Sequence, residues 1–97
     1  MFKLFILTLY SLISPKMGLA DNSIMVQSTT STYNSGFYEY ILPLFESDTN
    51  IVAHVVSVGT GAALKNAANC DGDVIIVHAK NRELDFVKNG FGVDRQD

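Results

Sequence analysis

The sequence predicts an α/β fold in which helices cover a three-stranded parallel sheet, in the order βαβαβα. Stretches of strand character alternate regularly with stretches of helical spacing, and the linkers between them are short. The predicted strands are nearly continuous apolar runs, as is typical of parallel sheets buried on both faces. The chain has 97 residues, 47% hydrophobic and 18% charged, which is the composition of one globular domain and not of a disordered chain.

The first half of the pattern is a strand, a helix and a second strand. Residues 24–28 form a short extended run, and residues 35–46 carry apolar side chains at helical spacing. Pro43 lies inside this helix and should kink it, because its ring clashes with the carbonyl one turn earlier. Residues 51–58 form a β-branched strand, and His54 in its middle is expected to be a structural residue.

The second half repeats helix, strand and helix. Residues 61–69 are alanine-rich and helical, and residues 73–78 (DVIIVH) form a continuous apolar strand. Residues 81–89 predict a last helix, with Asn81 as its N-terminal cap and Gly90 as its stop.

The N-terminus, residues 1–20, is typical of a signal peptide. Lys3 gives a positive start, residues 4–13 are largely apolar, and small residues precede a cleavage point after Ala20. A membrane anchor is the weaker alternative, because a span needs about 20 apolar residues and this run has roughly half. The sequence therefore predicts an exported domain of residues 21–97 with no membrane span after cleavage.

Charge and cysteine content exclude several classes of function. The formal net charge of −3 argues against a nucleic-acid partner, because phosphate binding needs clustered Lys and Arg. Cys70 is the one cysteine, so it can form no internal disulfide or CxxC motif, and it is expected to be a small buried apolar residue. Two isolated histidines without a spaced acidic or thiol cluster predict no metal site.

Three predicted loops point to an anion site. Seven of the eight side chains in residues 28–35 carry a hydroxyl, and two more loops lie at residues 58–61 (VGTG) and 78–81. In a right-handed βαβ succession all three leave the same edge of the sheet and precede helix N-termini, whose free N–H groups favour an anion. Gly59 and Gly61 would allow a ligand to approach the backbone closely and would allow unusual dihedral angles.

Other interpretations of these loops are possible. Ser and Thr are common in ordinary turns and helix caps, so the hydroxyl-rich stretch alone does not establish a ligand site. Residues 59–64 (GTGAAL) could be half of a dinucleotide fingerprint, but Leu64 occupies the third glycine position. No GxSxG elbow is present, and nothing pairs Thr30 or Ser31 with a base, so we expect no enzyme, no catalytic residue and no cofactor.

The sequence resembles the tungstate-binding periplasmic proteins of ABC transporters, the TupA-like family. The resemblance covers the whole of residues 21–97 and rests on these blocks, in the family's order and spacing: STTSTYNSG, YILPLFE, VVSVGTGAALK, DVIIVHA and FVKNGFGVDRQD. It implies one lobe of a type II periplasmic binding protein, a tungstate or molybdate ligand and an ABC transporter permease as partner. The residues it nominates for the oxyanion are Thr29, Thr30, Ser31, Gly59, Thr60 and Gly61, with His78 as a lining residue.

Departures from the family pattern are few except in length. Ser28 stands where the family commonly has threonine, and Lys80 where it commonly has proline; the lysine is expected to point to solvent. Family members continue for well over a hundred residues beyond the Asp-Arg-Gln-Asp end. The expectation is therefore a periplasmic or secreted binding component, with a truncated or degenerate fragment lacking independent binding as the alternative.

Overall fold

The computed structural model describes residues 22–97, and the predicted signal peptide of residues 1–20 lies outside them. The strands are β1 (Ser23–Thr29), β2 (Val52–Val58) and β3 (Val74–Ile76). The helices are α1 (Thr30–Asn34), α2 (Phe37–Thr49), α3 (Thr60–Ala68) and α4 (Lys80–Lys88). The predicted α/β class is confirmed.

The described strands form one parallel sheet in the order β2-β1-β3. Thr29 at the end of β1 pairs with Val58 at the end of β2, and Ser28 pairs with Ile76 at the end of β3. All three strands therefore end at one edge, which we call the carboxyl edge. Chains that leave this edge enter helices, as expected for a βαβ succession.

The helices cover both faces of the central strand. Tyr38 of α2 is hydrogen-bonded to the Ser28 side chain, whereas Asn66 of α3 donates to the Gln27 side chain at 3.2 Å. Because successive side chains on a strand point to opposite faces, α2 and α3 lie on opposite sides of β1.

The end of β1 is buried and largely polar. The buried hydrophobic side chains in residues 22–97 are Val26, Tyr38 and Ala63. Gln27, Ser28 and Thr29 are also buried, at 3%, 0% and 3% exposure. Gln27 donates to the Asp71 carbonyl at 2.7 Å and Ser28 to the Ile76 carbonyl at 2.8 Å, so burial does not leave these groups without partners.

The prediction of a loop at residues 28–35 is wrong. Its first two residues complete β1, and the next five form the short helix α1 (Thr30–Asn34). The Thr29 hydroxyl caps α1 by accepting a hydrogen bond from the Thr32 N–H at 3.4 Å, which offsets the weak helix propensity of this stretch. The next helix, α2, begins at Phe37 and continues through Pro43, past the predicted end at residue 46.

Two further local predictions are wrong and one is confirmed. Asn81 is not the cap of the last helix: α4 begins at Lys80, and Glu83 caps it by accepting the Ala79 N–H at 2.6 Å. Gly90 follows that helix with φ of 85°, as predicted for a stop. Cys70 is exposed, not buried, because the chain turns there at φ of 65° between α3 and β3.

Candidate functional site

The carboxyl edge brings the predicted hydroxyl and glycine segments together. Thr29 and Val58 are direct partners in the sheet, so α1 and the Gly59 turn start side by side. His78 lies two residues beyond the end of β3, whose last residue is Ile76. The prediction that these segments leave the sheet at a common edge is confirmed.

The hydroxyl groups after β1 form a connected cluster. Thr29 Oγ1 lies 2.9 Å from Thr32 Oγ1 and 3.3 Å from Ser31 Oγ. Thr29 itself is buried, whereas Thr30 and Ser31 are exposed. Thr29 therefore positions the neighbouring hydroxyls, and Thr30 and Ser31 face outward.

Ser28 belongs to the sheet's interior. Its hydroxyl donates to the Ile76 carbonyl, which can only accept, so the Tyr38 hydroxyl must be the donor in the 2.5 Å contact with Ser28 Oγ. The proton of Ser28 is thus already used inside the protein.

His78 connects the first and third segments of the carboxyl edge. Its Nε2 lies 2.9 Å from Ser31 Oγ, and both side chains are exposed. A hydroxyl and an imidazole can each donate or accept, so the direction of this bond depends on where the imidazole carries its proton.

The glycine segment leaves open space at the start of α3. A Cβ atom placed on Gly59 would meet nothing within 4 Å. The expectation of unusual dihedrals is wrong, because Gly59 has φ of −67° and Gly61 lies in the first turn of α3. Thr60 is half-buried, and its hydroxyl has no hydrogen bond to any residue in 22–97. Gly59 thus leaves room for a ligand.

Arg82 is a residue of this region that the sequence analysis missed. A Cβ on Gly61 would lie 2.9 Å from Arg82 Nη2, so the guanidinium occupies the space that the glycine leaves free. Arg82 is exposed and lies in the first turn of α4. A positive side chain in the first turn of a helix is unfavourable, because the helix dipole is positive there. An arginine at this place in the predicted last helix is the sequence signal that could have identified Arg82.

Several of the remaining charges near α4 are paired with each other. Arg95 contacts Glu83 at 3.2 Å and Asp97 at 2.9 Å. The Asp97 hydrogen bond, with the charges of Asp97 and Glu83, raises the pKa of Arg95. Lys80 is 65% exposed and 3.8 Å from Asp97, in agreement with its expected solvent position. Arg82 takes part in no ion pair within the described part of the chain.

Residues 22–97 contain no group of three or more His, Cys, Asp or Glu side chains that could hold a metal ion. None of the described helices has the length and apolar character to cross a bilayer. The groups gathered at the carboxyl edge are hydroxyls, an imidazole, backbone N–H groups and one guanidinium.

Comparisons with known proteins identify the family of this chain. Residues 19–97 match the family model described as PBP superfamily domain. The chain is 47% identical over 78 residues to the tungstate-binding protein TupA of Peptoclostridium acidaminophilum, covering 80% of this chain and 27% of that relative.

Two solved structures are also similar to this chain. The tungstate-binding protein TupA from Desulfovibrio alaskensis G20 matches with a TM-score of 0.73 at 44% identity, over 74% of this chain and 29% of its own. The tungstate ABC transporter protein from Geobacter sulfurreducens matches with a TM-score of 0.72 at 44% identity, over 74% of this chain and 31% of its own. The chain spans about a quarter of the length of the curated relatives it matches.

Proposed function

This chain belongs to the PBP superfamily, and from that premise we propose that it forms part of a periplasmic or secreted substrate-binding protein that supplies tungstate to an ABC transporter. Molybdate, an oxyanion of the same shape and charge, is the alternative ligand. The partner in this proposal is the transporter's permease. No enzymatic step and no cofactor are part of it.

The observation that carries the proposal is that contacts join all three strand-to-helix junctions at the carboxyl edge. The Ser31–His78 contact joins the junctions after β1 and β3, and the approach of Arg82 to Gly61 joins those after β2 and β3. A compact ligand at the carboxyl edge would therefore touch groups from three segments. The relatives' printed names give tungstate as that ligand.

The chemistry of the edge fits an anion that only accepts hydrogen bonds. Thr30, Ser31 and Thr60 supply hydroxyl donors, and the start of α3 supplies backbone N–H groups next to Gly59 and Gly61. A fully deprotonated tetrahedral oxyanion needs donors alone. Hydrogen phosphate also needs an acceptor, and the first two segments contain no carboxylate.

The nominated residues take different roles in this proposal. Thr30, Ser31 and Thr60 bind the anion through their hydroxyls, and Gly59 admits it to the backbone, whereas Gly61 makes room for the Arg82 guanidinium. Thr29 is buried and caps α1, so it acts by fixing the position of Ser31. Arg82 adds a positive charge to a site that otherwise consists of dipoles and an imidazole.

Thermal unfolding with added oxyanions tests the proposal. A ligand at 100 times its Kd stabilises the folded state by about 2.7 kcal/mol. For a domain of this size that corresponds to a rise in Tm of roughly 10 to 20 °C. We expect this rise with tungstate or molybdate and not with phosphate. No rise with tungstate or molybdate, or a rise with an amino acid or sugar instead, would contradict it.

A matched pair of variants locates the site. Ser31→Ala removes one hydrogen bond to a charged ligand, which costs about 1.5 to 3 kcal/mol, or roughly 10- to 100-fold in Kd. Thr49→Ala removes a hydroxyl at the opposite end of the sheet, bonded to the Phe45 carbonyl at 2.7 Å, and should leave affinity unchanged. Equal affinities for the two variants by titration calorimetry would place the ligand elsewhere.

A further inference from the structure

His78 ends a line of hydrogen bonds that runs through the hydroxyl cluster. Its Nε2 is 2.9 Å from Ser31 Oγ, Ser31 Oγ is 3.3 Å from Thr29 Oγ1, and Thr29 Oγ1 is 2.9 Å from Thr32 Oγ1. Each hydroxyl has a single proton to donate. The direction of the first bond therefore decides what Ser31 can offer to a ligand.

An imidazole nitrogen without a proton makes Ser31 a poor anion ligand. Nε2 then accepts, and the Ser31 proton points at His78. Ser31 can present only lone pairs to any anion beside it, and lone pairs repel an oxyanion. The Ser31 hydroxyl is then unable to donate to the anion.

An imidazole nitrogen that carries a proton reverses this situation. Nε2–H donates to Ser31 Oγ, and the Ser31 proton becomes free to point at the anion. A neutral ring can achieve this by carrying its one proton on Nε2, but a fully protonated ring always has Nε2–H and also brings a positive charge next to the site, so a dianion favours proton uptake. Both changes favour a bound dianion.

We propose that His78 is the positioning residue that orients the Ser31 proton, so that binding of the oxyanion is coupled to uptake of a proton by its imidazole. This inference rests on the proposed function, because it concerns the same ligand. Histidine is suited to the role, because its change of charge falls near neutral pH.

The charged groups around His78 come from one side. Neither the five residues of α1 nor the first turn of α3 contains a charged side chain. The charged groups of α4 and the final segment are Lys80, Arg82, Glu83, Asp85, Lys88, Asp94, Arg95 and Asp97. Glu83 is occupied by the Ala79 N–H and by Arg95, and Lys80 and Arg95 are paired with Asp97. Arg82 offsets one of the two charges of a bound dianion, so a net negative charge would remain next to the imidazole.

Titration calorimetry with tungstate tests the coupling on the unmodified protein. At about pH 7.5, near the range in which histidine titrates, the binding enthalpy is measured in two buffers with different ionisation enthalpies. We expect the binding enthalpy to differ between the two buffers in the direction that shows net uptake of protons by the complex. Between about pH 7 and 9 the Kd should weaken with rising pH, by at most about tenfold per pH unit, the limit for one proton.

Two histidine variants separate positioning from general structure. His78→Asn keeps an N–H donor for Ser31 that does not titrate, so it should still bind tungstate, without proton uptake and with a flat pH profile. His78→Leu removes both the donor and the acceptor, so Ser31 keeps its proton but is no longer oriented. This variant should also bind without proton uptake, about 2- to 10-fold more weakly than His78→Asn at every pH, as expected for loss of one hydrogen bond. His54→Asn, an exposed histidine in the first half of β2, is the matched control and should behave as wild type.

The outcomes distinguish this inference from the proposed function. Tungstate binding with equal enthalpies in both buffers, or an unchanged pH profile in His78→Asn, would overturn the role of His78 and leave the proposed function standing. Failure of the wild-type protein to bind tungstate or molybdate would overturn both. The buffer comparison needs no variant, so a substitution that fails to fold does not prevent the decision.

Discussion

The hydrogen bonds of Ser28 make a quantitative prediction about stability. Ser28 is fully buried, donates to the Ile76 carbonyl at 2.8 Å and accepts from Tyr38 Oη at 2.5 Å. Ser28→Ala would leave the buried Tyr38 hydroxyl without a partner and remove the side-chain bond to Ile76. Since an unsatisfied buried polar group costs about 1 to 3 kcal/mol, we expect a loss of about 2 to 3 kcal/mol in the free energy of unfolding.

The companion substitution Tyr38→Phe should cost less. It removes one donor but keeps the ring, which packs edge-on against Phe37 with centroids 5.3 Å apart. Ser28 would still donate to Ile76. The expected loss is therefore about 1 kcal/mol, the net value of one hydrogen bond. Tyr40→Phe, at a residue that is 67% exposed, is the matched control and should stay within about 0.5 kcal/mol of wild type.

Urea unfolding of the three variants and of the Ser28→Ala/Tyr38→Phe double variant provides the assay. The double variant should lose less than the sum of the single losses, because it removes the hydroxyl that Ser28→Ala leaves unpaired. Tungstate affinity of folded Ser28→Ala should equal that of wild type, since the Ser28 proton is already used. Additive losses, or a Tyr38→Phe variant as stable as wild type, would refute the assigned direction of these bonds.

Three further predictions concern single positions. Gly61→Ala should stabilise α3 by up to about 1 kcal/mol, because alanine has the higher helix propensity. Its Cβ would also displace Arg82, so tungstate affinity should fall as far as it does in Arg82→Gln. The double variant should bind no more weakly than Arg82→Gln alone. For a dianion about 4 Å from the guanidinium in water, the lost attraction is about 2 kcal/mol, or roughly a 30-fold increase in Kd measured by calorimetry. If the affinity losses of the two single variants add up in the double variant, the displacement of Arg82 is contradicted. Gly36→Ala, at φ of 85°, should lower the free energy of unfolding in urea by about 1 to 2 kcal/mol. Gly59→Ala, at an ordinary φ with open space around it, should lower it by less than about 0.5 kcal/mol. Equal losses for the two variants would contradict this prediction. Cys70 should react with a thiol reagent in the native protein as completely as in urea, and protection in the native state would disagree with its exposure.

The sequence predicted the sheet because periodicity and apolar runs reflect burial directly. All three strands lie where residues 24–28, 51–58 and 73–78 were expected, although β3 is shorter. The failures are at positions decided by single hydrogen bonds. A Thr29 cap turns residues 30–34 into a helix, and Glu83 takes the capping role that Asn81 was expected to have. Such bonds depend on geometry that a pattern of residue types does not contain.

The candidate site was predictable to the same extent. The common edge of the hydroxyl and glycine segments follows from parallel topology, which the alternation of elements predicts. The position of Arg82 does not follow from the topology, because it depends on how closely α4 approaches Gly61, the one residue of α3 that lacks a side chain. Residue types were enough to identify the hydroxyl donors in the segments that follow the strands. Only the three-dimensional contacts identified the Arg82 guanidinium beside them.

The polar end of β1 explains how so small a structure can hold donors in fixed positions. Gln27 is fixed from the α3 side by Asn66, and Ser28 from the α2 side by Tyr38. Because both residues are buried and fully paired, the strand cannot shift without leaving polar groups unsatisfied, and this locks Thr29 where it caps α1. Ser31 then starts from a rigid anchor. The polar strand therefore reduces the cost of ordering the exposed hydroxyls when a ligand binds, which an apolar strand end without such hydrogen bonds would not do.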